Sequence, residues 1–162
     1  MKLSTKGRYA VMAMVDLVRY AEGRPVALAE IAERQEISLS YLEQLFAKLR
    51  RSGLVRSVRG PGGGYLAGRP AGELRVADII LAVDEPIRAT RCTPGSGAGC
   101  HSDKSRCLTH DLWEELGQQI HRFLSAVTIE DVIERRVLGV VPPMALPRTA
   151  RAPGRREPVA AE

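Results

Sequence analysis

The chain has 162 residues, of which 44% are hydrophobic and 27% charged, and its formal net charge is +5. This length fits one compact domain, or a small domain with an attached helical or loop module, and nothing in the composition forces disorder on the whole chain. Residues 1–70 carry 12 Lys and Arg against 6 Asp and Glu, whereas residues 71–140 carry 8 against 11. A basic N-terminal part attracts phosphate backbones, although it also fits an ordinary solvated surface.

The sequence points away from membranes, secretion and catalysis. No apolar run reaches the roughly 18 residues of a membrane helix, and the start MKLSTKGRYAVMAMVDL lacks a signal-peptide cleavage site. We therefore expect a cytoplasmic protein, in which three cysteines favour a metal site or free thiols over disulfides. Its histidines and carboxylates show no nucleophile or acid-base arrangement at recognisable spacing, so we do not expect an enzyme.

Three amphipathic helices are predicted in the first third of the chain. Apolar residues recur at three- and four-residue spacing over residues 5–21, 28–35 and from about 39 to 52. Ser40 and Glu43 fit a capping box at the start of the third helix, and Ser38 is an equally plausible N-cap. This helix is expected to bury Leu42, Leu45, Phe46 and Leu49 and to end at Gly53.

A hairpin is predicted directly after the third helix. In LVRSVRGPGGGYLAG, alternating apolar residues flank a turn rich in glycine and proline. The order helix, helix, turn, helix, hairpin predicts a mainly α protein with a winged helix-turn-helix. Further helices are predicted over residues 76–83 and from Leu112 to about Ala126, and the proline-rich tail from Val141 is expected to be disordered.

The third helix has an outward side suited to reading DNA. Its polar residues there are Ser40, Tyr41, Glu43, Gln44, Lys48 and Arg51. Gln suits adenine and Glu suits the amino group of cytosine in the major groove. For a helix taken alone, the solvated side of an amphipathic helix is the commoner explanation of such residues. The neighbouring hairpin changes that weighting in favour of DNA contact.

The hairpin tip carries an arginine on a thin, glycine-rich turn. Arg59 in VRGPGGGY can insert into a narrow minor groove, while Arg56 and Lys48 can contact phosphates. The alternative is a flexible surface turn with an incidental arginine. Because this turn follows a helix-turn-helix, DNA binding is the favoured interpretation.

All three cysteines lie in one glycine-rich stretch. Cys92, Cys100, Cys107 and His110 form the pattern C-x7-C-x6-C-x2-H. Soft thiolates favour zinc or an iron-sulfur cluster, and the lack of a close C-x2-C pair tilts the choice toward a cluster. Zinc and redox-active thiols stay open on spacing alone, as does His101 in place of His110.

Five segments resemble a known family. LSTKGRYAVMAM, ISLSYLEQLF, VRGPGGGYL, AVDEPIRATRC and CLTHDLW, in this order over about residues 1–135, are similar to the IscR-type winged-helix regulators of bacterial iron-sulfur cluster assembly. The resemblance implies a dimeric transcription factor that binds a 2Fe-2S cluster through Cys92, Cys100, Cys107 and His110. The inter-cysteine loop is longer than the family's usual spacing, with Ala98 at the expected middle position, so Cys100 takes this role as the available thiol.

The resemblance also implies roles in DNA recognition. Ser38, Ser40, Tyr41, Glu43 and Gln44 are expected to face the major groove, and Arg59 to enter the minor groove. Glu43 is expected to discriminate between two classes of operator. Relatives in the wider family sense nitric oxide or iron with three cysteines, and CLTHDLW favours the IscR branch.

An apolar stripe on the last predicted helix favours dimerisation. It comprises Leu112, Leu116, Ile120, Phe123, Leu124 and Val127. A small core offers little for such a stripe to cover, so we expect it to pack against its own copy, with burial inside one chain as the alternative. A two-fold dimer predicts a roughly palindromic operator.

The predicted organisation has five parts. These are a winged helix-turn-helix DNA-binding domain over residues 1–75, a connecting helix and loop over 76–91, a cluster-binding loop over 92–110, a dimerisation helix region over 111–138 and a disordered tail over 139–162. The expected function is a repressor of iron-sulfur assembly genes in the cluster-bound form, with that assembly machinery as cluster donor. The alternatives are a nitric-oxide-, iron- or zinc-responsive repressor and an iron-sulfur carrier or electron-transfer module.

Overall fold

The computed structural model describes residues 5–87, 100–101 and 105–138, and this part of the chain is mainly helical. It contains helices α1 (Thr5–Tyr20), α2 (Leu28–Gln35), α3 (Leu39–Arg51), α4 (Val76–Ala82), α5 (His110–Ala126) and α6 (Ile129–Ile133). Strands β1 (Val55–Val58) and β2 (Gly64–Ala67) form an antiparallel hairpin between α3 and α4, and a 3₁₀ turn spans Ala71–Glu73. The predicted order of helices and hairpin is therefore confirmed.

The core lies where α1, α2 and α3 meet the hairpin. The four apolar residues predicted for the inner side of α3 are all buried, together with Met14 and Leu17 of α1 and Ile31 of α2. Their three- and four-residue spacing places them on one side of each helix, and removing that side from water stabilises the packing. The opposite side of α3 is left facing solvent.

The hairpin is attached to the core by a backbone bridge that the sequence did not predict. Val26, in the α1–α2 connection, exchanges both of its backbone hydrogen bonds with Tyr65 of β2, at 2.9 and 2.8 Å. Gly64 makes this approach possible, because a Cβ atom there would lie 2.4 Å from the Val26 carbonyl oxygen. The ring of Tyr65 also packs edge-on against Phe46, with 4.9 Å between ring centroids. The wing therefore has a fixed base.

The structure decides between the two predicted caps of α3 and moves the start of α5. The capping box at Ser40 and Glu43 is wrong, because both residues lie inside α3 and Ser38 is its N-cap. The Ser38 carbonyl already accepts the Leu42 amide at 3.1 Å. Helix α5 begins at His110 rather than Leu112, because the His110 amide donates to the Cys107 carbonyl at 3.0 Å and closes the preceding turn.

The chain returns to the core after α5. The Val76 amide donates to the Val127 carbonyl at 3.0 Å, and the Ile129 amide donates to the Leu74 carbonyl at 2.9 Å. Thr128 caps the unpredicted helix α6 through a reciprocal pair of hydrogen bonds with Asp131. In the part of the chain that the structure describes, no helix combines the length and apolarity needed to cross a membrane. Cys92 and the tail from Val141 lie outside the described residues.

Candidate DNA-binding surface and metal centre

Helix α3 presents a polar side to solvent. Ser38, Ser40, Glu43 and Gln44 are exposed, and Tyr41 is half-buried, with its ring edge-on to Tyr9 at 6.1 Å. Arg56 on β1 and Arg59 beyond its end are exposed as well. The sequence-predicted DNA-contacting residues thus lie on the open side of α3 and on the wing.

A buried carboxylate orients α2 against α1. The Asp16 side chain is 0% exposed, and it accepts hydrogen bonds from Arg34 at 2.6 Å and from Gln35 at 2.8 Å. The Arg34 guanidinium also lies over the Tyr20 ring, 4.5 Å from its centroid. The hydrogen bond to Asp16 raises the pKa of Arg34. Since α2 packs against α3, this network fixes the helix that supports the exposed polar side.

Lys48 differs from the other predicted DNA contacts because it already has an anionic partner. Its Nζ atom lies 2.7 Å from Oδ2 of Asp84, just beyond the end of α4. The hydrogen bond between them raises the pKa of Lys48 and lowers that of Asp84. The next residue, Glu85, accepts the Gly7 amide at 2.8 Å. The segment that leads toward the cysteine loop is therefore tied to both α1 and α3.

Cys100 and His110 lie in contact at the start of α5. Cys100 Sγ is 3.1 Å from His110 Nδ1, and the His110 side chain is 8% exposed. The hydrogen bond with Cys100 raises the pKa of His110, and the bond to Glu114 adds to this effect. Cys107 lies in the turn that precedes α5, with Sγ 3.5 Å from Thr109 Oγ1. His101, the alternative ligand, is exposed.

Glu114 is a member of this site that sequence reasoning missed. Its Oε2 atom lies 2.9 Å from Nε2 of His110. The signal that could have found it is the i, i+4 spacing on a predicted helix, which places both side chains on one side. Among the described residues, His110, Asp111 and Glu114 bring possible ligand atoms within 4.8 Å of one another.

The apolar stripe of α5 divides into two parts. Leu124 and Val127 pack with Val76 and Ile80 of α4 inside the chain. Leu112, Leu116 and Phe123 are 61%, 37% and 39% exposed. Burial within one chain therefore accounts for Leu124 and Val127, whereas nothing in the described part of the chain covers Leu112, Leu116 and Phe123.

Most of the chain is similar to one known protein family. The model of the Rrf2 family, described as "Iron-dependent Transcriptional regulator", matches residues 3–135. This chain belongs to the Rrf2 family. Its Rrf2 relatives include the HTH-type transcriptional regulators IscR of Xenorhabdus nematophila, 54% identical over 136 residues (84% of this chain, 81% of the relative), and of Serratia proteamaculans, 52% identical over 141 residues (87% and 84%). These similarities make the chain an IscR-type Rrf2 regulator of transcription and not an enzyme.

Two solved structures of Rrf2 type share its fold. One is T. potens IscR, with a TM-score of 0.67 and 38% identity, which covers 84% of this chain and 88% of that chain. The other is CymR (YrzC), the global cysteine regulator of B. subtilis, with a TM-score of 0.68 and 32% identity, covering 83% and 98%. The winged-helix fold and DNA binding as the class of function follow from this membership.

Proposed function

We propose that this protein senses iron-sulfur cluster supply and, with a 2Fe-2S cluster bound, represses the genes of cluster assembly. The observation that carries the proposal is the 3.1 Å approach of Cys100 Sγ to His110 Nδ1 at the first turn of α5. A cysteine sulfur beside a histidine ring nitrogen is a donor pair that suits iron-sulfur ligation. The names of the IscR relatives support the same assignment.

The proposed ligands are Cys92, Cys100, Cys107 and His110. The donor set fits the cofactor, because a 2Fe-2S cluster takes four protein ligands and accepts histidine in place of cysteine. When bound, the cluster supplies an oxidation-sensitive centre whose occupancy follows its supply. Cys107 and His110 belong to one turn, in which the His110 amide donates to the Cys107 carbonyl at 3.0 Å. We assign the protein to the cytoplasm, with the cluster assembly machinery as donor.

The proposed DNA contacts divide between reading and anchoring residues. Ser38, Ser40, Tyr41, Glu43 and Gln44 meet base edges in the major groove, and Arg59 enters the minor groove. Lys48 and Arg56 contact phosphates. The exposure of the polar side of α3 and of the two wing arginines supports this division.

Glu43 is the proposed discriminator between operators. Its carboxylate only accepts hydrogen bonds, so it stabilises binding opposite a cytosine amino group. Opposite a base edge without a donor, the same carboxylate becomes a desolvated, unpaired charge, which opposes binding. Glu43 is exposed on α3, as this role requires.

The proposed coupling between cluster and operator runs through a homodimer. The exposed members of the α5 stripe, Leu112, Leu116 and Phe123, support self-association, which pairs two α3 helices on a roughly palindromic site. The proposed ligand His110 is the first residue of the same helix. Any change in operator affinity on cluster binding must equal the change in cluster affinity on operator binding.

Anaerobic purification followed by operator selection tests the proposal. The wild-type protein should be coloured, contain iron and sulfide, and prefer different operators with and without the cluster, whereas Cys100→Ala should behave as the cluster-free form. Glu43→Ala should relax the operator preference, and Glu33→Ala, which removes an exposed carboxylate from α2, should leave it unchanged. Colourless protein that binds all duplexes equally would overturn the proposal.

A regulator that responds to a single metal ion is the second candidate. The ligand atoms of His110, Asp111 and Glu114, within 4.8 Å of one another, favour it. An imidazole and carboxylates suit divalent zinc or iron. Metal analysis of the same anaerobic sample separates the candidates, because a single-ion protein contains metal without inorganic sulfide.

A further inference from the structure

The two ring nitrogens of His110 face different partners. Nδ1 lies 3.1 Å from Cys100 Sγ, and Nε2 lies 2.9 Å from Oε2 of Glu114. The His110 side chain is 8% exposed and that of Glu114 is 28% exposed. The imidazole is therefore held between a sulfur on one side and a carboxylate on the other, largely away from water.

The partner of Nε2 decides which nitrogen carries hydrogen. An ionised carboxylate accepts hydrogen bonds and cannot donate them, so Nε2 must be the N–H donor in this contact. The nitrogen that can offer a lone pair is then Nδ1, which faces the sulfur.

We infer that Glu114 is a positioning residue that keeps hydrogen on Nε2 of His110, so that His110 binds iron through Nδ1. The inference rests on the proposed function, since it concerns the same centre. A histidine ligand whose other N–H is held by a carboxylate has a fixed ring orientation and is a more basic donor. The negative charge of Glu114 also favours the oxidised cluster and lowers its reduction potential.

The neighbouring carboxylates do not take this role. The Asp111 side chain is 91% exposed, and its Oδ1 atom lies 3.9 Å from Nη1 of Arg106. Glu115 is 54% exposed and contacts Gln119 and Arg122 on the outer side of α5. Glu114 is the acidic residue at i+4 from His110, and this spacing brings its side chain back over the first turn.

The decisive experiment uses the full chain, reconstituted with cluster without oxygen and carrying histidine labelled with ¹⁵N at one ring nitrogen. Pulsed electron paramagnetic resonance of the reduced cluster should show direct coupling to Nδ1. Glu114→Ala should lose its cluster about tenfold faster to a chelator. Glu114→Gln, whose amide oxygen still accepts from Nε2, should keep Nδ1 ligation and most of the cluster lifetime, with a higher reduction potential.

Glu115→Ala is the matched control, since it removes the same charge one residue away from an exposed position. Equal cluster lifetimes in Glu114→Ala and Glu115→Ala, or coupling to Nε2 in the wild type, overturn the role of Glu114 and leave the proposed function intact. A wild-type protein that takes up no cluster overturns both. Long-range ¹H–¹⁵N spectra of the cluster-free protein should show hydrogen on Nε2 of His110 in the wild type. In Glu114→Ala, the spectra should no longer show one fixed tautomer of this ring.

Discussion

The Nζ atom of Lys48 lies 2.7 Å from Oδ2 of Asp84, so a proposed phosphate contact on α3 is paired with an acid just beyond α4. The Asp84 side chain is 74% exposed and that of Lys48 is 26% exposed. A DNA phosphate and Asp84 are alternative partners for the same ammonium group. The segment that leads toward the cysteine loop therefore bears directly on the DNA-contacting helix.

Replacing Asp84 with Asn should strengthen operator binding at low salt, because Lys48 no longer exchanges a carboxylate for a phosphate. The slope of log affinity against log salt concentration should also become steeper, by up to about one additional released counterion. Operator titrations over a series of salt concentrations measure both effects. Asp78→Asn, an exposed change of equal charge on α4, is the control, and equal slopes for the two variants would contradict the competition.

Replacing Arg34 with Met should destabilise the protein by about 3 kcal/mol, because the fully buried Asp16 carboxylate then loses its cationic partner. Urea unfolding, fitted with one m-value for both proteins, gives this difference in unfolding free energy. Arg24→Met removes an arginine whose side chain is 56% exposed and whose partner Glu30 is 35% exposed, so its effect should stay below about 1 kcal/mol. Similar losses for the two variants would show that the Asp16 network is not the source of the stability.

Replacing Leu116 with Glu should convert the proposed dimer to a monomer, because a charge enters the uncovered apolar part of α5. Sedimentation equilibrium over a range of protein concentrations measures the association. Gln118→Glu adds the same charge at an exposed position on another side of the helix and should leave the mass unchanged. If Leu116→Glu sediments as the wild type does, self-association does not use this stripe.

Replacing Gly64 with Ala should destabilise the protein by between about 1 and 3 kcal/mol, because the new Cβ would lie 2.4 Å from the Val26 carbonyl oxygen. Amide exchange should rise at Val26 and Tyr65, which the bridge protects. Gly72→Ala is a matched change, since its Cβ meets the flexible end of Glu130 at 3.1 Å and should be tolerated. A Gly64 variant as stable as the Gly72 variant would rule out a fixed wing base.

Acid should remove a contribution of Glu30 to stability. Its hydrogen bond to Arg24 lowers the pKa of Glu30 from 4.5 to about 2. A lowered pKa in the folded state means that the contribution is present above about pH 4.5 and is lost as the pH falls toward 2. The difference in unfolding free energy between wild type and Glu30→Gln should therefore shrink over this interval. A difference that stays constant with pH would show that the charge of Glu30 is not its origin.

The sequence by itself determined the helices of the DNA-binding part and the place of the hairpin. Leu42, Leu45, Phe46 and Leu49 repeat with the helical period, and Arg59 follows a strand pattern at a glycine-rich turn. Such periodicity is local and is written in residues close together in the chain. The spacing of the three cysteines and His110 in one glycine-rich stretch also marked Cys92, Cys100, Cys107 and His110 as a group.

Only the tertiary structure decided how distant residues meet. The Val26–Tyr65 bridge, the Asp16–Arg34 pair and the Lys48–Asp84 pair join residues far apart in sequence, and no local pattern records which carboxylate approaches which cation. The same is true of the contact between Cys100 and His110, which the spacing of the two residues along the chain does not record. Helical spacing is set by backbone hydrogen bonds within a few residues, whereas these contacts are set by the packing of whole elements against a shared core.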